Sequence, residues 1–133
     1  MVEASTGPHQ ELQAEEVESL TYIYPEEFEL ISENPYKFEI MINSNTEDEE
    51  LNFLKVKVTW ELSEEYPDKL PYFRIKNLSP DYMDNTLLDQ YETEMKRRGE
   101  ESIGSGMVFE LCDYLKEKCT EINDEVCNKL RLI

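Results

Sequence analysis

Tyr66-Pro67-Asp68-Lys69-Leu70-Pro71 separates a strand-rich half of the chain from a helical half. Its two prolines, four positions apart, remove two backbone donors and fix two φ angles. Part of the entropy of ordering this loop is thereby already lost in the unfolded chain. On stability grounds the segment reads as a rigid turn between strands, with Tyr66 packed beneath it. Just before it, Leu54, Val56, Val58, Trp60 and Leu62 alternate with Lys55, Lys57, Thr59 and Glu61. Further back, Tyr36, Phe38, Ile40 and Ile42 alternate with Lys37, Glu39 and Met41 across an acidic loop, Asn43 to Glu50. Phe28 to Ile31 forms a short apolar run closed by the turn residues Glu33-Asn34-Pro35. Tyr72 to Ile75 supplies a fourth strand after the loop. Period-two alternation means one wet face, which suits an antiparallel meander with helices on its other face. No helical pattern interrupts the strands, which argues against a parallel, Rossmann-type sheet.

Outward from the strands the period changes. Residues 1–8 read as a loose leader, and His9 to Tyr24 as a helix carrying Ala14, Val17, Leu20 and Tyr24 on one stripe, with Leu12 and Ile23 beside it. Pro25 ends that helix, because proline disfavours helical geometry in the residue before it. A second helix runs from about Pro80–Asp84 to Arg98, burying Leu87, Leu88, Tyr91 and Met95. Either Ser79-Pro80 or Asp84 caps it, and Gly99 closes it behind Lys96, Arg97 and Arg98. The last helix runs from Met107 to at least Asn128, with Val108, Leu111, Cys112, Leu115, Cys119, Ile122 and Val126 at steps of three and four. The expected architecture is α+β, in the order α-β-β-β-β-α-α, as one domain over residues 9–130.

Composition narrows the function. The 133 residues hold 31 acids and 13 Lys or Arg, a net charge of −18. Residues 1–50 contain 14 of the acids and a single cation, Lys37. Such a surface repels phosphate backbones and anionic lipid, which excludes nucleic-acid and membrane-surface partners. It favours a protein partner with a basic surface. No apolar run approaches the roughly 18 residues that span a bilayer. The N-terminal sequence lacks the basic and apolar regions of a signal peptide, so the expectation is a cytoplasmic protein with reduced thiols.

Candidate chemistry is sparse. The lone histidine, His9, leaves no partner set for Ser-His-Asp, Cys-His or His-metal sites. Cys112, Cys119 and Cys127 lie near one helix face among Asp113, Glu117, Glu121 and Glu125, which oppose thiolate formation. Their spacing is not that of a zinc knuckle, and small core residues are the simpler reading. Thr46 to Glu50 lacks the central glycine of an EF-hand loop and reads as a solvated hairpin tip. Neither a cofactor nor a metal is expected.

Three segments resemble the RWD domain family. Glu16-Val17-Glu18-Ser19-Leu20-Thr21-Tyr22-Ile23-Tyr24-Pro25 is similar to the E-x-E-x-L-x-x-I-Y-P of that family's first helix. Tyr66-Pro67 with Pro71 matches its YPxxxP signature, and Gly104, Met107 and Phe109 resemble the G-x-x-M-x-F that opens its last helix. The resemblance spans about residues 10–128 and implies the fold of ubiquitin-conjugating E2 enzymes. It implies structural roles for Tyr24, Pro25, Tyr66, Pro67 and Pro71, with Glu18 supporting the first helix or the loop by hydrogen bonding. SENPYKFEI and SEEYPDKLP are most similar to the small RWD-only proteins. There, the resemblance implies, the domain binds the HEAT-repeat activator of the amino-acid-starvation kinase, and so modulates translational stress signalling. A separate C-terminal region of those proteins binds developmentally regulated GTP-binding proteins; the present chain stops just after its last helix, so that contact is expected only from sequence beyond it.

An E2 enzyme needs an acceptor cysteine and an HPN-type motif soon after its fourth strand, yet residues 76–95 contain neither Cys nor His. The expectation is therefore a non-catalytic interaction module, the alternative being an adaptor in ubiquitin or SUMO conjugation. The expected partner-binding residues are helix acids: Asp84, Asp89 and Glu92 in the second helix, and Glu110, Asp113, Glu117 and Glu121 in the third. They would meet Arg or Lys of a helical-repeat partner, where charge-assisted pairs fix register.

Overall fold

Cross-strand register explains the core. In the computed structural model, which describes residues 9–131, β2 (Tyr36–Asn43) pairs antiparallel with β3 (Lys55–Glu61). Phe38 lies opposite Trp60, Ile40 opposite Val58 and Ile42 opposite Val56. All six therefore point to one side of the sheet, and none is more than 1% exposed. β1 (Phe28–Glu33) and β4 (Tyr72–Asn77) flank this pair, giving an antiparallel sheet in the order β1-β2-β3-β4. A register shift between Leu30 and Ser32 interrupts the β1 edge, a device that discourages pairing with another strand. The expected leader, residues 1–8, lies outside the described residues.

Three helices complete the molecule: α1 (Gln10–Ile23), α2 (Asn85–Glu101) and α3 (Val108–Lys129). The covered side of the sheet meets α3 through Val108, Leu111, Cys112, Leu115 and Cys119, all fully buried. Burying one such aliphatic side chain contributes about 1.5–3 kcal/mol, so this stripe is a large part of what docks the helix. Val17 and Leu20 of α1 join the same core.

Some sequence expectations shift in detail. On α1 the innermost polar residue is Gln13, with Ala14 half-buried and Leu12 and Ile23 exposed. Gln13 is tolerated there because its amide donates to the Ser63 and Tyr66 carbonyls at 2.8 and 2.9 Å. Asp84, rather than Ser79-Pro80, caps α2 by accepting from Thr86 N at 2.8 Å. Ser79 is instead buried and donates to the Lys55 carbonyl while accepting from Lys55 N. Within α2, Leu88 and Met95 are buried whereas Leu87 and Tyr91 are half-buried.

Gly99 does not terminate α2, which continues to Glu101. The glycine is a close-approach position: a Cβ there would lie 2.6 Å from Leu70 Cδ2 and 3.1 Å from Met107 Sδ. Thus the loop before β4 presses directly on α2.

Candidate functional site

The Tyr66–Pro71 loop ties together elements distant in sequence. Tyr66 is buried, as are Pro67 and Pro71. Its hydroxyl donates to the two Glu16 carboxylate oxygens at 2.7 and 2.8 Å and accepts from Met107 N at 2.8 Å. Val108 N donates to the same carboxylate at 3.1 Å. Glu16 on α1 therefore acts as a remote cap for α3, a negative charge where the helix dipole favours one. Burial pushes the Glu16 carboxyl above its ordinary range, against the lowering effect of the bonds from Tyr66, Val108 and Met107. The Tyr66 phenol is driven far above its ordinary value by burial and by the Glu16 charge. At the loop's outer side His9 Nε2 lies 2.8 Å from Asp68 Oδ2, and Gly104 N donates to the Pro67 carbonyl at 2.8 Å. The Asn34–Pro35 and Tyr66–Pro67 peptides are both cis.

The hydrogen bonding expected of Glu18 belongs to Glu16. Two residues along a helix rotate a side chain by about 200°, which leaves Glu18 exposed while Glu16 faces Tyr66. Tyr24, half-buried, places its ring 6.4 Å from that of Phe109, and the exposed Pro25 follows it.

All three cysteines are buried. Burial drives the Cys112 thiol far above its ordinary value and pushes the Cys119 thiol up to about 12. That is the reverse of the electropositive, accessible setting of a thiolate nucleophile. Among the described residues no group of His, Cys, Asp and Glu is arranged to hold a metal ion. No described helix is long and apolar enough to cross a membrane.

Glu110, Asp113, Glu117 and Glu121 are all exposed on α3, at steps of three and four that form one stripe opposite the buried arc. Glu110 accepts from Ser102 Oγ at 3.1 Å, and Glu121 lies 3.7 Å from Lys118 Nζ. The α2 acids are placed differently. Tyr91 meets Tyr114 edge-on at 6.2 Å, and the Arg98 guanidinium sits 4.4 Å over the Tyr114 ring, so this side of α2 faces α3. Asp89 and Glu92 lie on other sides of the helix, with Glu92 3.2 Å from Lys96 Nζ, and Asp84 is engaged as the cap. The third-helix acids are thus gathered, and the second-helix acids are not gathered with them.

One feature went unread in the sequence. A cleft of about 320 Å³ opens between the C-terminal end of α1, β2 and the first turns of α3, lined among others by Ile23, Tyr24, Glu27, Met41, Phe109 and Asp113. Ile23 and Phe109 are 45% and 47% exposed in it. The available signal was helix phase: Phe109 falls outside the apolar stripe of α3, between Val108 and Glu110.

Comparison with known proteins places this geometry. The RWD domain family profile matches residues 11–119. The chain belongs to the RWD domain family. An RWD domain-containing protein of Schizosaccharomyces pombe is 30% identical over 109 residues, covering 81% of this chain and 50% of that protein. The chain therefore spans half the length of this relative. Among solved structures, the RWD domain of mouse GCN2 superposes with a TM-score of 0.76 at 17% identity, covering 91% of this chain and 92% of the other.

The RWD fold is E2-like, and as an RWD domain the chain is a protein-interaction module. Its match contains both halves of the Glu16–Tyr66 junction and the start of α3. The match also spans Glu110, Asp113 and Glu117 of the α3 stripe and stops before Glu121.

Proposed function

We propose that this RWD domain, residues 9–130 acting as one unit, is a non-catalytic module that binds the HEAT-repeat activator of the amino-acid-starvation kinase. Binding a basic surface of that activator in the cytoplasm would modulate translational stress signalling. The observation that carries the reading is the exposed stripe Glu110, Asp113, Glu117 and Glu121 on a helix whose opposite arc is wholly occupied by core. The net charge of −18 adds long-range attraction to a cationic partner. Individually, exposed ion pairs contribute about 0–1 kcal/mol, so the stripe acts as a set. Its value lies in orientation and encounter rate. Support for a role without catalysis comes from the burial of all three thiols, which raises the pKa of Cys112 and Cys119.

The test is a pull-down from cell extract at low salt and at roughly 0.5 M salt, where charges more than a few Å apart are screened. A second bait carries Glu110, Asp113, Glu117 and Glu121 changed to Lys. The activator should be recovered by the native bait only, and lost with salt. Ubiquitin or SUMO enzymes in its place would favour an adaptor role in conjugation. Identical partners on both baits would reduce the stripe to a solvated surface.

A further inference from the structure

We infer that the cleft between α1, β2 and α3 receives an arginine side chain of the basic partner, its guanidinium on the Phe109 ring and facing Asp113. This inference rests on the proposed reading of α3 and specifies how the partner is anchored beside the acidic stripe. Two independent features of the cleft point to the same occupant.

The first is apolar. Ile23 and Phe109 stay 45% and 47% exposed, with Met41 and the half-buried Tyr24 beside them. Water wets this floor poorly, and a side chain with an apolar stem would displace it. The second is electrostatic. The end of α1 forms one wall, and its last turn contains no basic residue, so the negative end of the helix dipole is left without a cation. Glu27 and Asp113 line the cleft, Glu26 adjoins Glu27 and Glu110 adjoins Phe109 in the chain, and Lys116 is the sole cation of the lining. A cationic head is therefore favoured over an apolar one. Arginine fits better than lysine, because its planar guanidinium stacks on an aromatic face and pairs with a carboxylate at once, while an ammonium is more strongly hydrated. Asp113 belongs to both cleft and stripe, so an inserted arginine sets the register of the remaining pairs.

The test has two arms, both on the full chain. In the first, three peptides of one helical background carry a central Leu-Arg, Leu-Lys or Leu-Gln pair and are titrated while backbone amide shifts are followed. The Arg peptide should move the amides of Ile23, Tyr24, Glu26, Glu27 and residues 109–116 and bind more tightly than the Lys peptide. Phe109→Ala should weaken it about tenfold, the scale of a lost cation–π and apolar contact. Equal binding of Arg and Lys peptides, shifts centred elsewhere, or indifference to Phe109→Ala overturns the cleft. In the second arm the HEAT-repeat activator is titrated against Phe109→Ala and against the double variant Glu117→Lys/Glu121→Lys, whose positions lie outside the cleft lining. Loss in both supports the inference. Loss only in the double variant overturns the cleft and leaves the stripe standing. Retention in both overturns the reading of α3, and the inference with it. Phe109 is half-exposed, and a thermal melt confirms that its variant is folded.

Discussion

Replacing Tyr66 by Phe deletes one oxygen and tests the junction on which the placement of α3 depends. That oxygen donates to Glu16 and accepts from Met107 N, so its loss leaves a buried N–H without an acceptor. An unsatisfied buried donor costs about 1–3 kcal/mol, and a hydrogen bond to a charged group is worth about 1.5–3 kcal/mol. Glu16 keeps its bond from Val108 N, so the two losses overlap and a net cost of about 2–4 kcal/mol is expected. At about 2.1 cal/mol/K of unfolding entropy per residue, that corresponds to a Tm lower by roughly 10 °C. Trp60, the single tryptophan, is buried with its ring 5.0 Å from Phe73, which makes its emission a native probe for urea unfolding. The decisive measurement is a double-mutant cycle of Tyr66→Phe with Glu16→Gln, where contacting partners should show coupling above about 0.5 kcal/mol. A Tyr66→Phe cost below about 0.5 kcal/mol, or additivity of the pair within about 0.3 kcal/mol, would refute the junction as an energetic unit.

The Glu16 carboxyl has a folded pKa above its unfolded one, so the protonated group favours the fold. Its contribution is fully present at low pH and declines as pH rises from the ordinary carboxylate range through the raised value. Glu16→Gln should accordingly gain stability relative to the native chain as pH rises above the ordinary carboxylate range, in paired urea titrations. Asn123 on α3 accepts from Phe53 N at 2.9 Å and donates to the Leu51 carbonyl at 2.8 Å; Asn123→Ala should cost about 2 kcal/mol by orphaning both. The buried thiols should react with an aromatic disulfide reagent only as fast as the chain opens, and all three should react rapidly in urea. Fast native labelling of Cys112 or Cys119 would contradict their burial.

What the sequence reveals and conceals follows from how far each cause reaches along the chain. Strands β2 and β3 are legible because a buried face needs alternation, and a slip by one residue would expose Phe38, Ile40 and Ile42 together. The inner stripe of α3 is legible for the same reason at helical period. Asp84 is readable as a cap, since capping is decided within one turn. The choice of Glu16 over Glu18 is not, because both glutamates suit an exposed helix and only the position of Tyr66, 50 residues away, selects between them. Gly99 carries a helix-end signal behind three cations, yet its role is fixed by Leu70 and Met107 pressing from other segments. For the candidate surface, the α3 stripe follows from one helix alone. The separation of Asp89 and Glu92 from it, and the cleft at Ile23 and Phe109, follow from how helices and sheet are placed together.

Glu117 shows how binding and folding pull against each other on α3. It sits one turn from Asp113 on one side and one turn from Glu121 on the other, and of the three only Glu121 forms an ion pair among the described residues, with Lys118 at 3.7 Å. Like charges at this spacing destabilise a helix by about 0.2–0.5 kcal/mol per pair. The fold tolerates them because Leu111, Cys112, Leu115 and Cys119 hold α3 from beneath, and Glu16 fixes its first turn. Glu117→Gln removes two such pairs and should therefore raise stability by about 0.4–1 kcal/mol at low salt, with the gain shrinking as salt screens the charges. A cationic partner relieves the same repulsion by neutralising it, so this variant should bind the activator more weakly while melting higher. Were Glu117→Gln to lower the melting temperature instead, the side chain would be stabilising the fold, and the stripe would no longer be a surface held ready for a partner.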